Sequence, residues 1–239
     1  MSTLTNLVEL KCCPFDYSPL HGLSALRSLR KLWINCAAAP PSCLSLLTSL
    51  QRLTLNDYKG GFGEEDLEEL RSALPQLQQL TGLVIEVGVQ LTFPRSDDQA
   101  AFAACPQLVS LRFDAWMRDG PPCSLTGPWL VRLRCLAAPL HVIAASWPAL
   151  SSTATQLRQL GLHCDCEDDA DLACQVAGWA EQHTPLRRLI VYPDDPHWAP
   201  DYRARLLHVQ RRPTLCTHVC AWADIDALLN EHESELFDR

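Results

Sequence analysis

Residues 26–36 read "LRSLRKLWINC", with Leu26, Leu29, Leu32 and Ile34 spaced three, three and two apart and Arg27, Arg30, Lys31, Trp33 and Asn35 among the residues between. The interval of two is the period of a β-strand, whose successive side chains point to opposite faces. Leu32 and Ile34 therefore face one way, and Lys31, Trp33 and Asn35 the other. A single copy would read as an ordinary half-buried strand, but the spelling returns along the chain. It recurs at Leu4, Leu7, Leu10, Cys12; at Leu47, Leu50, Leu53, Leu55; at Leu77, Leu80, Leu83, Ile85; and at Cys105, Leu108, Leu111, Phe113. Later copies are Ala154, Leu157, Leu160, Leu162 and His183, Leu186, Leu189, Val191, with a degraded copy at Leu130, Leu133, Leu136.

Successive copies are 21 to 30 residues apart. Such a period signals a stacked repeat, in which one unit cannot bury its apolar side alone and its neighbours complete the core. The pattern predicts short parallel strands at 9–13, 31–35, 52–56, 83–87, 110–114, 159–163 and 188–192. "GEEDLEELRSAL" (63–74), "SDDQAAFAAC" (96–105, with Ser96 as the cap), "DDADLACQVAGWAEQH" (168–183) and "APDYRARLLHVQ" (199–210, with Pro200 at its start) read as the returning helices. The proline-rich returns after residues 36, 113 and 136 read as irregular. The expected organisation is one α/β solenoid of about eight irregular repeats over residues 1–212. A strand, "TLCTHVC", and a capping helix, "WADIDALLNEHESELF", close the same domain over 213–239.

These frames, and above all "LPQLQQLTGLVI" and "CPQLVSLRF", resemble the leucine-rich-repeat superfamily over nearly the whole chain, and are similar to the cytoplasmic repeats of F-box/leucine-rich-repeat proteins. No F-box is visible; the chain enters its first repeat at Leu4. The resemblance implies a curved right-handed superhelix with a parallel concave sheet, and a non-enzymatic protein-binding scaffold. One assignment is the substrate-recognition part of an F-box-type ubiquitin ligase adaptor. The alternative is a structural component of a cytoskeletal or ciliary, axonemal assembly.

Composition bounds the rest. The 239 residues are 47% hydrophobic and 20% charged, enough for a sizeable core, and the net charge of -8 argues against a generic nucleic-acid binder. "MSTLTNLVEL" has no signal-peptide pattern, and the longest apolar stretch, "LAAPLHVIAASWPAL", is too short for a membrane span. Twelve cysteines without a leader suggest a reduced, cytoplasmic protein whose thiols are mostly small buried hydrophobes. Cytoskeleton or axoneme is the alternative location, and a monomer outside its complex is expected.

No catalytic set emerges. "KGGFGEE" (59–65) lacks phosphate-loop spacing. His163, Cys164, Cys166 and Cys174 combine soft ligands with nearby carboxylates, but the strand splits them between two faces, with Leu160, Leu162 and Cys164 inward and His163 and Asp165 outward. A metal or redox protein built on the cysteines is the least favoured alternative, so neither metal nor cofactor is expected. The eight histidines are expected at the surface, and the acidic runs 64–69 and 165–171 on the solvated convex side.

The outward strand positions remain. They are Glu9, Lys11; Lys31, Trp33, Asn35; Arg52, Thr54, Asn56; Val84, Glu86; Arg112, Asp114; Gln159, His163; and Arg188, Ile190, Tyr192. They carry five basic and three acidic residues, so this ridge is +2 on a chain of -8. Exposed arginine and aromatic side chains on a concave sheet suit an interface. The partner-binding candidates are Lys11, Lys31, Trp33, Asn35, Arg52, Asn56, Arg112, Asp114, His163, Arg188 and Tyr192, facing a protein or peptide partner of acidic character, without nucleic acid or membrane.

Overall fold

The computed structural model describes residues 6–12, 23–35, 43–57, 63–87, 94–115, 123–166, 169–207 and 214–220. Nine strands form one all-parallel sheet in chain order: β1 (Glu9–Cys12), β2 (Lys31–Asn35), β3 (Arg52–Asp57), β4 (Gly82–Val87), β5 (Ser110–Ala115), β6 (Cys135–Pro139), β7 (Gln159–Cys164), β8 (Arg188–Pro193) and β9 (Cys216–Val219). All seven predicted strands are present and parallel, the degraded copy supplies β6, and "TLCTHVC" supplies β9.

The register explains the spelling. Leu10, Leu32, Leu53, Leu83, Leu111, Leu136, Leu160 and Leu189 are paired across successive strands in one row. From Leu32 to Leu189 none is more than 2% exposed. The residues three before them, Leu29 to Leu186, are buried as well, and each closes the same turn. The Leu29 N–H donates to Leu26 O, Leu50 to Leu47, Leu80 to Leu77, Leu108 to Cys105, Leu133 to Leu130, Leu157 to Ala154 and Leu186 to His183, at 2.9 to 3.2 Å. The three-residue interval is thus a hydrogen-bonded turn and the two-residue interval a strand, which is why both recur together.

The returns carry α1 (Glu64–Ala73), α2 (Ser96–Ala103), α3 (Leu140–Thr153), α4 (Asp169–Gln182) and α5 (Ala199–Leu207), with short 3-10 turns between several of them and the strands. Leu67, Leu70, Phe102, Ile143, Leu150, Val176 and Leu206 join the strand leucines in one core, so the helices cover the leucine face. Arg71 ties α1 to α2, its Nε donating to Asp98 Oδ1 at 2.7 Å, and it also reaches Glu64 and Glu68. The acidic run 64–69 is therefore partly an ion-pair network.

Two expectations about the returns are corrected. The segment after residue 136 is helical, not irregular. Leu140, Val142, Ile143, Trp147 and Leu150 are buried along α3, and that burial outweighs the hydrogen bond lost at Pro148 inside the helix. Ser96 is the first residue of α2 rather than its cap; the helix start is closed by Asp98, which accepts from the Arg95 N–H at 2.6 Å. The capping helix of 222–237 and the returns at 36–42 and 116–122 lie outside the described residues. Among those described, no helix is long and apolar enough to cross a membrane.

Candidate functional site

The sheet face turned away from the helices is where the sequence placed its candidates, and it divides in two. Over β1 to β4 it is open. Glu9, Lys11 and Lys31 are exposed, and Trp33, Arg52, Thr54 and Val84 are half-buried. The register sets Lys31 beside Arg52, and Lys11, Trp33, Thr54 and Val84 in one row. Glu9 lies 3.6 Å from Lys31 and 3.9 Å from Lys11, but exposed pairs of this kind contribute little. Asn35 ends β2, and its side chain lies outside the described residues.

From Asn56 onward the picture departs from the sequence reading. Asn56, Arg112, Asp114, His163 and Tyr192 were expected to be exposed, yet all are buried, Arg112 at 4%, His163 at 1% and Tyr192 at 0%. The alternation placed them on the right face; depth is set by lateral neighbours that a strand pattern does not contain. Asn56 Nδ2 donates to Glu86 Oε2 at 2.7 Å, and Arg112 Nη2 pairs with Glu86 Oε1 at 2.7 Å. One carboxylate thus joins β3, β4 and β5. Arg188, at the entry of β8, is half-buried.

A second cluster centres on His163. Its Nδ1 is 2.7 Å from Asp114 Oδ1 and 3.1 Å from Asp165 Oδ1, and its Nε2 is 2.6 Å from Asp194 Oδ1. Burial alone would lower its pKa; the hydrogen bonds to Asp114 and Asp194 and the charge of Asp165 overcome this and raise it to about 10. The ring is therefore an imidazolium holding together β5 and the exits of β7 and β8. Burial and the neighbouring carboxylates push Asp165 up to about 6, against the pull of His163. Asp165 thus belongs to this cluster rather than to the convex surface.

Tyr192 stacks on His163, ring centroids 5.2 Å apart and planes 12° from parallel. Its ring also lies over β7, because Gly161 leaves the space: a Cβ at Gly161 would stand 3.2 Å from Tyr192 Cε1 and 2.7 Å from Ala137 Cβ. Cys135, Ile190, Tyr192 and Cys220 form a small apolar cluster of their own, separate from the main core. This half of the face is filled by the protein's own side chains.

His163, Asp165 and Asp194 bring potential metal-ligating atoms within 4.8 Å of one another. A metal needs a lone pair on the ring nitrogen, so an ion here would have to displace the proton that the carboxylates favour on His163. The cysteines do not converge: Cys164 points into the main core, Cys166 is exposed and Cys174 is on α4. Of the ten described cysteines four are buried, so the expectation that most are buried does not hold. The expectation of surface histidines fails at His163 and at His183. The latter occupies the first apolar position of its repeat and bonds Ala154 O through Nε2 at 3.1 Å.

No family model matches the chain, and no curated protein matches its sequence. Sequence reasoning missed Asp194 and the Gly161–Ala137 slot. The available signal was the run of small residues at corresponding positions of two neighbouring repeats.

Proposed function

We propose that this chain is a leucine-rich-repeat solenoid without enzymatic activity, which binds a protein partner on the concave sheet, at β1 to β4. The observation that carries it is the contrast across one sheet. Behind β2 to β4 the leucine row is sealed by its neighbours, while in front Lys31, Trp33, Thr54 and Val84 remain exposed or half-buried, and among the described residues no network like that around His163 lies over them. A tryptophan flanked by basic side chains has the composition of an interface anchor. The buried residues Asn56, Arg112, Asp114, His163 and Tyr192 then serve to fix the sheet that presents this surface. A ubiquitin-ligase adaptor and a cytoskeletal scaffold would both use such a face, and both are compatible with a cytoplasmic protein.

The test is affinity capture with the wild-type chain and three variants in parallel, followed by binding kinetics on the retained partner. Lys31→Glu with Arg52→Glu should slow association, with a defect that shrinks at high salt. Trp33→Ala should speed dissociation, by tenfold or more if it is a true hot spot of about 2 kcal/mol. Glu65→Lys with Glu68→Lys on α1 should do neither. If that convex pair abolishes binding and the concave changes leave it intact, α1 is the docking site and the reading is wrong.

A further inference from the structure

Three carboxylates surround one imidazole at the exit end of the sheet. Asp114 and His163 stand near the ends of β5 and β7, and Asp165 and Asp194 directly follow β7 and β8. Each belongs to its own repeat or to the one before, and only the stacking of the strands brings all four together. The charges of this group do not balance. The ring carries one positive charge at most, against three negative ones. Among the described residues no lysine or arginine pairs with Asp114, Asp165 or Asp194, so two negative charges are left over.

The hydrogen bonds do not balance either. Asp114 Oδ1 and Asp165 Oδ1 both face Nδ1, at 2.7 and 3.1 Å, and one N–H cannot point well at two acceptors. No other hydrogen bond reaches either oxygen, and both atoms are buried. Asp114 as a whole is 7% exposed. Buried carboxylates short of donors and counter-charge are costly to maintain. A small cation of charge two meets both shortfalls at once, because it neutralises the surplus and accepts the unused lone pairs.

We propose that this cluster is a binding site for a divalent first-row transition-metal ion, held by Nε2 of His163 and the carboxylates of Asp165 and Asp194. These three residues offer ligand atoms that all lie within 4.8 Å of one another. The ion takes the place of the Nε2 proton, which leaves to solvent, and Nδ1 keeps its own proton on Asp114. A carboxylate that holds the second nitrogen in this way orients the ring of a metal-binding histidine. The nitrogen ligand selects against calcium and magnesium, which take oxygen, and the Cys164 side chain lies in the main core, so no thiolate joins the set. Asp165 and Asp194 are half-buried while His163 is buried, so the ion enters from the strand-exit side. This site does not depend on Trp33 or on the surface over β1 to β4.

The experiment uses the full chain and Mn2+ alone, an ion that prefers oxygen and nitrogen ligands, so that the twelve cysteines compete little for it. Free Mn2+ is counted by electron paramagnetic resonance. One equivalent should bind, Co2+ should displace it and Ca2+ should not. Asp165→Asn and Asp194→Asn should each weaken binding roughly tenfold or more, and Cys166→Ser with Cys216→Ser should leave it unchanged. The spin-echo signal of bound Mn2+ should be modulated by an imidazole nitrogen in the wild type and not in His163→Gln, which a purely structural role of the ring would not produce. Circular dichroism checks the fold; if His163→Gln unfolds, Asp194→Asn, at a half-buried position, carries the comparison. The inference is overturned if no Mn2+ binds below about 1 mM, if the aspartate variants bind it like wild type, if the wild-type signal shows no nitrogen, or if the cysteine variant loses the ion.

Discussion

Replacing Gly161 with alanine probes the slot that lets Tyr192 lie across the sheet. Gly161 sits mid-strand in β7, paired with Ala137 on β6 and Ile190 on β8. Its added Cβ would meet Ala137 Cβ at 2.7 Å, Ala137 Cα at 3.3 Å and Tyr192 Cε1 at 3.2 Å. Two of these belong to a residue fixed in the sheet, so they cannot simply rotate away; the tyrosine is itself fully buried against His163. Overpacking of this kind costs about 1–3 kcal/mol. Alanine regains roughly 0.5–1 kcal/mol through its smaller conformational entropy in the unfolded chain. The net expectation is a loss of about 1–2 kcal/mol in urea melts followed by circular dichroism. Ala137→Gly removes the nearest atom, so the Gly161→Ala, Ala137→Gly double variant should recover part of the loss, with a coupling of about 1 kcal/mol. Full recovery is not expected, because the Tyr192 contact remains. If Gly161→Ala alone matches or exceeds wild-type stability, the slot has spare room and Tyr192 does not close the face as described.

Two further outcomes follow from buried groups. His163 has a folded pKa of about 10 against an ordinary 6.5, so its stabilisation is complete below about pH 6.5 and is lost as pH rises through 10. Between pH 7 and pH 9 the loss should be on the order of 2–3 kcal/mol, and His163→Gln should flatten that slope; equal slopes in the two proteins would refute the imidazolium cluster. In a thiol-modification time course, the exposed Cys166 and Cys216 should react first, and Cys105, Cys135, Cys164 and Cys220 only on unfolding; early modification of Cys164 would contradict its place in the core.

The strands were legible because each repeat states its own geometry. Leu50, Leu53 and Leu55 need no knowledge of the rest of the chain to read as a turn followed by a strand. Helix α1 was legible for the same reason, its acids and leucines being local. Helix α3 was not, since Pro148 argues against a helix locally, and the counterweight, burial of Ile143, Trp147 and Leu150, comes from other repeats. The helix-free face was half legible. Period two assigned Arg112 and His163 to it, but their depth depends on Glu86, Asp114 and Asp194, residues 26 to 49 positions away that become neighbours only when the register is known.

The returns also differ in width. An α-helix needs 8–10 Å to lie beside another, whereas adjacent strands are about 4.8 Å apart. Each helix-bearing unit is therefore a wedge, thick at the back and thin at the front. Every return from β6 to β9 contains a helix, α3, α4 and α5, whereas between β1 and β3 the described returns contain only 3-10 turns. It is over this helix-backed stretch that Gly161 leaves room for Tyr192 against Ala137, whereas the half-buried Trp33 lies on β2.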